Sequence, residues 1–150
     1  MLGGRVAFDV PVEVAYRYLA DPRNRPEWQA SLSSVEMLDE GEPRVGMRWR
    51  DHTVVRLVPQ MQITALEPGE VWVEHGHWRA IEAILTMDFE ATATESVVHV
   101  RFRVSGRGLL APVGWLATAT GVLPVLSDVR RAARILSERR HQWDARSASS

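Results

Sequence analysis

The sequence contains neither cysteine nor lysine. Without cysteine the chain has no disulfide, no thiolate nucleophile and no cysteine metal site, and this composition fits a reducing compartment. All 18 basic residues are arginine, whose guanidinium keeps its proton in proteins, so Schiff-base chemistry and a lysine-anchored pyridoxal phosphate are excluded. The formal net charge is only −1, which gives no overall attraction to nucleic acid or to an anionic membrane.

Several motifs of enzyme chemistry are also missing. The sequence has no phosphate-binding loop, nucleophile elbow, zinc-protease helix or dinucleotide fingerprint, so phosphoryl and hydride transfer have no support and we expect no cofactor. Arg5 and Asp9 interrupt the opening segment, which therefore lacks the apolar core of a secretory signal, and we expect a cytoplasmic protein. A length of 150 residues suits one domain over residues 1–150.

Alternating apolar and polar residues predict β-strands over most of the chain. A first strand, "RVAFDV", ends at a proline, and two short helical segments follow in "PVEVAYRYLAD" and "PRNRPEW". Hairpins come next, separated by turns rich in glycine and proline. We expect inward faces in these hairpins at Met47, Trp49 and Asp51, then at Met61, Ile63 and Ala65, then at Leu85, Met87 and Phe89, and finally at Val98, Val100 and Phe102.

The longest uncharged stretch is "LLAPVGWLATATGVLPVLS", residues 109–127. Its prolines, glycines and hydroxyl residues dilute its apolar character, so we favour a soluble helix over a membrane span. From Val122 onward apolar residues recur every three or four positions, which predicts a long C-terminal helix with arginines on the opposite face. Pro124 lies inside this pattern and should start or kink the helix.

The order of one strand, two short helices, six antiparallel strands and a long C-terminal helix resembles the helix-grip fold of the SRPBCC superfamily. The chain is most similar to its polyketide cyclase/dehydrase and lipid transport type, which is related to START domains and to the major birch-pollen allergen. The resemblance rests on "DVPVEVAYRYLADPRNRPEW", "VGMRW", "ITALEPGEVWVEH" and "GWLATATGVLPVLSDVRRAARILSERR", which together span nearly the whole chain. It implies an α+β domain whose curved seven-stranded antiparallel sheet wraps around the C-terminal helix.

The resemblance also implies a cavity between sheet and helix that receives small apolar molecules, but it transfers no catalytic residue to this chain. Tryptophan suits such a wall because its indole offers a large apolar face and one N–H donor. The residues that we expect to line the cavity lie on inward strand faces or on the C-terminal helix: Trp49, Met61, Ile63, Met87, Phe89, Phe102, Trp115, Thr118, Val122 and Leu126.

Two residues are candidates for acid or base chemistry in this cavity. Asp51 shares a strand face with Trp49, so it either points into the cavity or marks the strand's exit to solvent. A carboxylate in an apolar pocket has a raised pKa and could remove an acidic proton from a polyketone. His75, if it faces the cavity, is the best general acid or base available, because imidazole titrates near neutral pH.

A pair of histidines raises the question of a metal. His75 and His77 are two positions apart on one predicted strand, a spacing that can present two imidazoles to zinc. A third ligand is missing from the local pattern, since Glu74 points to the opposite face. We therefore expect no metal site.

Three functions remain open at this stage. The first is a cytoplasmic protein that binds a polyketide, an isoprenoid, a quinone or a lipid, without partners among nucleic acids. The second is an aromatase/cyclase that uses Asp51 and His75 for aldol cyclisation or dehydration. The third is a lipid or quinone carrier that docks on membranes through "LLAPVGW", with Trp115 at the interface. The oligomeric state stays open.

Overall fold

A computed structural model of the chain describes residues 2–93, 95–106 and 111–149, and it describes the side chains in these ranges except at positions 2 and 111–123. The described residues form seven strands and three α-helices, with a 3-10 turn at Pro22–Asn24. The strands are β1 (Leu2–Phe8), β2 (Leu32–Met37), β3 (Arg48–Thr53), β4 (Gln60–Glu67), β5 (Val71–Trp78), β6 (Ile81–Ala91) and β7 (Ser96–Gly106). The helices are α1 (Val12–Ala20), α2 (Arg25–Trp28) and α3 (Ala111–Ala148).

All strands pair antiparallel in one sheet, in the order β1-β7-β6-β5-β4-β3-β2. Strands β2 to β7 are each hydrogen-bonded to the next strand in sequence, as hairpin connections require. The first strand crosses to the far edge beside β7, and helices α1 and α2 lie in this crossover. Helix α3 packs on β7 and β1. The predicted helix-grip fold, with its curved seven-stranded sheet around a long C-terminal helix, is confirmed.

The core lies between the inner face of the sheet and helix α3. In β7, Val98 and Val100 are buried while Arg101 is exposed, which is the alternation that the sequence predicts. Helix α3 contributes Val129 and Leu136 to the same core. Each side chain of this size stabilises the folded state by about 1.5–3 kcal/mol when it is fully buried.

Helix α3 begins before Pro124, the residue that the sequence predicts either to start the helix or to kink it. Pro124 lies inside the helix, which runs from Ala111 to Ala148, so it does not begin the element. Proline removes one helical hydrogen bond. The apolar residues that follow it, Leu126 and Val129, are buried against the sheet and stabilise the helix beyond this point. Among the residues that the structure describes, no helix has the length and apolar character needed to cross a membrane.

One predicted strand face changes partway along β4. Met61 and Ile63 are buried as expected, but Ala65 is exposed and Leu66 is half-buried. The pairing of β4 with β5 shifts register between Ile63 and Ala65. A bulge adds one residue to one strand, so every side chain beyond it changes face.

Candidate functional site

A cavity of about 140 Å³ lies between the inner face of the sheet and helix α3. Six of the side chains around it are apolar or aromatic, and five carry charged or amide groups. The described lining residues are Arg25, Trp28, Gln29, Asp51, Met61, Glu74, Ala83, Leu85, Phe102, Val125 and Asp128. Mostly apolar walls with a few convergent polar groups are typical of small-molecule sites.

The polar groups centre on a buried guanidinium. Arg25 Nη1 donates to Glu74 Oε2 at 2.5 Å, and Arg25 Nη2 donates to Asp51 Oδ2 at 3.4 Å. Arg25 is 2% exposed, Asp51 3% and Glu74 2%. Charged groups this deep are stable only when they are paired and hydrogen-bonded, so the three side chains depend on one another.

Each buried carboxylate also accepts a hydrogen bond from a tryptophan on its own strand. Trp49 Nε1 donates to Asp51 Oδ1 at 2.9 Å, and Trp72 Nε1 donates to Glu74 Oε2 at 3.2 Å. Residues two apart on a strand share a face, so β3 and β5 each present a tryptophan and an acid toward the core. These bonds hold both carboxylates in place beneath Arg25.

Aromatic rings surround the same cation. The guanidinium carbon of Arg25 lies 5.7 Å from the ring centroid of Trp28 and 5.6 Å from that of Trp49. Cation–π contacts are worth more in a desolvated site than in water. The short helix α2 places Arg25 and Trp28 one turn apart, and both therefore reach the cavity from the same side.

Burial changes the protonation equilibria of the cluster. Desolvation raises the pKa of Glu74 above its ordinary value, and Arg25 offsets this only in part. Desolvation also acts to lower the pKa of Arg25, but Glu74 and Asp51 outweigh it and raise that pKa. Arg25 therefore stays charged, whereas Glu74 holds its proton to a higher pH than a free glutamate.

A third carboxylate reaches the cavity from helix α3. Asp128 is half-buried, and its Oδ1 accepts a hydrogen bond from the Ala30 amide at 3.3 Å. Burial raises the pKa of Asp128. The Ala30 hydrogen bond and the nearby arginines lower it, but their effect is smaller. The cavity thus has one acid on its helical wall and two on its sheet wall.

Several buried polar atoms at the cavity have no hydrogen-bond partner among the residues that the structure describes. They include the N–H donors Arg25 Nε and Trp28 Nε1 and the acceptor Gln29 Oε1. Each buried polar group without a hydrogen bond costs about 1–3 kcal/mol of stability, so a ligand that forms the missing hydrogen bond gains affinity.

The structure brings some of the predicted lining residues to the cavity and places others in the core. Met61 and Phe102 line it, and Trp49 donates a hydrogen bond to the lining residue Asp51. The other predicted residues with described side chains are buried but lie outside the described lining: Ile63, Met87, Phe89 and Leu126. The side chains of Trp115, Thr118 and Val122 lie outside what the structure describes, as do those of the "LLAPVGW" segment proposed for membrane docking.

The two acid–base candidates have different positions. Asp51 is buried at the cavity wall rather than at an exit to solvent. His75 is exposed on the outer face of β5, because the inward face of this strand carries Trp72, Glu74 and Gly76. An imidazole on that outer face cannot reach a ligand in the cavity.

His77 shares the exposed outer face with His75. Within the described residues there is no group of three side chains placed to hold a metal ion.

Sequence reasoning missed Arg25, Glu74 and Asp128. A usable signal for Glu74 was the repeated spacing of tryptophan and acid, Trp49 with Asp51 and Trp72 with Glu74. Asp128 stands three positions after Val125 and one before the buried Val129, so it borders the apolar stripe of α3. For Arg25 no local signal exists, because its partners lie 26 and 49 positions away.

A larger groove of about 370 Å³ lies elsewhere, between helix α1 and the β4–β5 turn. It is lined partly by exposed residues, Arg17, Glu42 and Pro68 among them. It contains no buried charge, so we place the candidate site in the smaller cavity.

The raised pKa of Glu74 predicts a pH-dependent stability. A carboxyl whose folded-state pKa lies above the unfolded value near 4.5 stabilises the fold at low pH and loses this contribution as the pH rises through the folded value. Urea unfolding of the Glu74→Gln variant and of the unchanged protein, from about pH 5 to 8, should show the variant gaining stability relative to the unchanged protein as the pH rises.

Asp39→Asn is the matched control for this experiment. Hydrogen bonds from the side chain and the backbone amide of Arg48 lower the pKa of Asp39, so its stability contribution is complete above the unfolded value and lost only at lower pH. The difference in free energy of unfolding between this variant and the unchanged protein should stay constant across the same pH interval. A flat curve for Glu74→Gln would show that Glu74 is ionised throughout.

The family assignment follows from the sequence over most of this fold. Residues 4–139 match the family model described as polyketide cyclase/dehydrase and lipid transport. The chain belongs to this family. No curated protein matches it.

Solved structures with the same fold include proteins from a biosynthetic pathway and from a biosynthetic locus. StfQ, a di-domain ARO/CYC from the steffimycin biosynthetic pathway, aligns with a TM-score of 0.72 at 15% identity, over 93% of this chain and 51% of its own. DynU16, from the dynemicin biosynthetic locus, aligns with a TM-score of 0.67 at 17% identity, over 91% of this chain and 46% of its own. This family member therefore spans about half the length of either protein.

A third structure is closer in size. Protein MLL2253 from Mesorhizobium loti aligns with a TM-score of 0.70 at 16% identity, over 91% of this chain and 96% of its own. At these identities the three structures show that the polyketide cyclase-type chain shares their fold.

Proposed function

We propose that this protein binds a small, mainly apolar molecule in the cavity between the sheet and helix α3. The observation that carries the proposal is an apolar cavity with a buried, hydrogen-bonded charge cluster in its wall. An engineered apolar cavity of about 150 Å³ accepts benzene, so a cavity of about 140 Å³ suits a single ring or one end of a larger ring system.

Apolar and polar residues of the cavity wall contribute to binding in different ways. Trp28, Met61 and Phe102 supply apolar surface, whose burial drives association. The N–H donors of Arg25 and Trp28 orient the polar end of the ligand, because buried polar groups gain most from a partner. Family membership supports the same reading.

The experiment that tests this proposal is native mass spectrometry with a panel of aromatic ketones, phenols, quinones and fatty acids, followed in parallel by tryptophan fluorescence. We expect one-to-one complexes with ring compounds that carry an oxygen substituent. Failure of every compound to bind, together with an empty protein when it is purified from its own host, would overturn the proposal.

A second candidate, an aromatase/cyclase, is favoured by the half-buried Asp128. Asp51 is engaged by both Trp49 and Arg25, which makes Asp128 the better general base. Its carboxylate would take a proton from a carbon between two carbonyls of a poly-β-ketone. The resulting carbanion attacks a distant carbonyl carbon, and this new carbon–carbon bond closes the ring. The new alkoxide takes the proton back from the carboxyl, and the hydroxyl then leaves as water with a hydrogen of the adjacent carbon, which forms a ring double bond.

An assay with a synthetic poly-β-ketone thioester separates the two functions. Formation of a cyclised aromatic product faster than the spontaneous reaction supports catalysis. A complex in the native mass spectrum with an unchanged rate of cyclisation supports binding alone.

A further inference from the structure

We propose that the cavity selects neutral ligands with a carbonyl or hydroxyl oxygen and rejects carboxylates of the same shape, fatty acids included. This inference rests on the proposed binding function and adds the chemical class of ligand. It comes from the balance of charges around the cavity and from the donors that remain unpaired there.

Negative groups outnumber positive ones in the described lining of the cavity. Asp51, Glu74 and Asp128 contribute three carboxyl groups, and Arg25 contributes the one cation in this part of the wall. Apart from Glu74, two carboxyl groups still face one guanidinium. A ligand carboxylate would add another like charge in a desolvated site, where such juxtapositions cost several kcal/mol.

Arg25 is poorly placed to act as a receptor for an anion. Its Nη1 and Nη2 groups already donate to Glu74 and Asp51, so a ligand carboxylate would share this guanidinium with two carboxyl groups of the protein. Its Nε atom has no hydrogen-bond partner among the described residues. One N–H suits a single acceptor oxygen better than a bidentate carboxylate.

In the part of the cavity wall that the structure describes, no other cation is present to compensate a ligand's negative charge. The charge of Arg131 lowers the pKa of Asp128, but Arg131 is exposed, so solvent and salt screen its charge.

The unpaired donors define what the cavity does accept. Arg25 and Trp28 are each 2% exposed, and within the described ranges their Nε and Nε1 atoms have no hydrogen-bond partner. A neutral carbonyl or hydroxyl oxygen would accept from them without bringing a charge into the site. The lone acceptor Gln29 Oε1 adds a place for a hydroxyl proton.

Acetophenone and benzoate form a matched pair for the test, since they share a phenyl ring and a carbonyl and differ in a methyl group against a charged oxygen. Both are titrated into the protein at about pH 8, and binding is followed by NMR through the assigned indole N–H signal of Trp28. We expect acetophenone to shift this signal and to bind at least about tenfold more tightly than benzoate.

Asp128→Asn then tests the cause of the selection. Asparagine keeps the oxygen that accepts from Ala30 and removes the charge, so the ratio of the two dissociation constants should fall at least about threefold. Asp144→Asn removes the same charge from an exposed site on the same helix and should leave the ratio unchanged.

The possible results distinguish this inference from the proposed binding function on which it rests. Equal or tighter binding of benzoate at the Trp28 signal overturns the selection and leaves the binding function in place. An unchanged ratio in Asp128→Asn also overturns the charge argument. Binding of neither compound, nor of any larger ring compound in the panel, overturns both.

Discussion

Replacing Arg25 with methionine is expected to lower the free energy of unfolding by about 3–5 kcal/mol near pH 7.5. The substitution leaves Asp51 and Glu74 buried without their cation, while the tryptophan donors satisfy only part of each carboxylate. Without the cation, burial raises the pKa of Glu74 further, so this carboxyl group takes up a proton more readily in the core. The variant should therefore regain stability as the pH is lowered from about 7.5 to 5.

Urea unfolding of Arg25→Met and Arg23→Met measures this effect. Arg23 lies two positions earlier and pairs with Asp21 at 3.1 Å, but its side chain is 42% exposed. Loss of an exposed pair should cost at most about 1 kcal/mol. Should Arg25→Met fail to fold, adding Asp51→Asn and Glu74→Gln removes the stranded charges and should restore folding. Equal losses for the two arginine variants would contradict the account of the cluster.

Filling the cavity is expected to abolish ligand binding. Ala83 on β6 lines the cavity, and the benzyl group of Ala83→Phe would occupy most of its volume of about 140 Å³. Any ring ligand that binds the unchanged protein should bind this variant at least about tenfold more weakly, because overpacking a filled site costs about 1–3 kcal/mol. The dissociation constant is measured by titration calorimetry.

Ala65→Phe is the control for the filled cavity. Ala65 is exposed beyond the bulge of β4, so a phenyl ring there meets solvent. Near-ultraviolet circular dichroism of both variants shows whether the tryptophan environment stays intact. If Ala83→Phe folds and binds as the unchanged protein does, the ligand site lies elsewhere in the molecule.

The architecture was predictable because its patterns are local and repeated. Alternation at Val98, Val100 and Phe102 identifies β7, and the spacing of Leu126, Val129 and Leu136 identifies the buried side of α3. Burial of one face follows directly from such patterns. The alternation failed as a guide in β4, where one extra residue at the bulge moved Ala65 outward.

The candidate site was predictable only in part. Asp51 could be placed near the cavity, since it shares a face with the tryptophan on its own strand. In β5, alternation separates Glu74 from His75 but does not say which of them faces inward. The pairing of β5 between β4 and β6 decides this, because it turns Trp72 and Glu74 toward the core.

By itself the sequence determined the order of elements, the absence of thiol and lysine chemistry, and the apolar faces that form the core, because each depends on residues close together in the chain. Only the tertiary structure decided that Arg25 meets Asp51 and Glu74, and that Asp128 joins them at one cavity. A buried charge needs opposite charge and donors within a few ångströms. Here those groups come from a short helix, two strands and the C-terminal helix, which folding alone brings together.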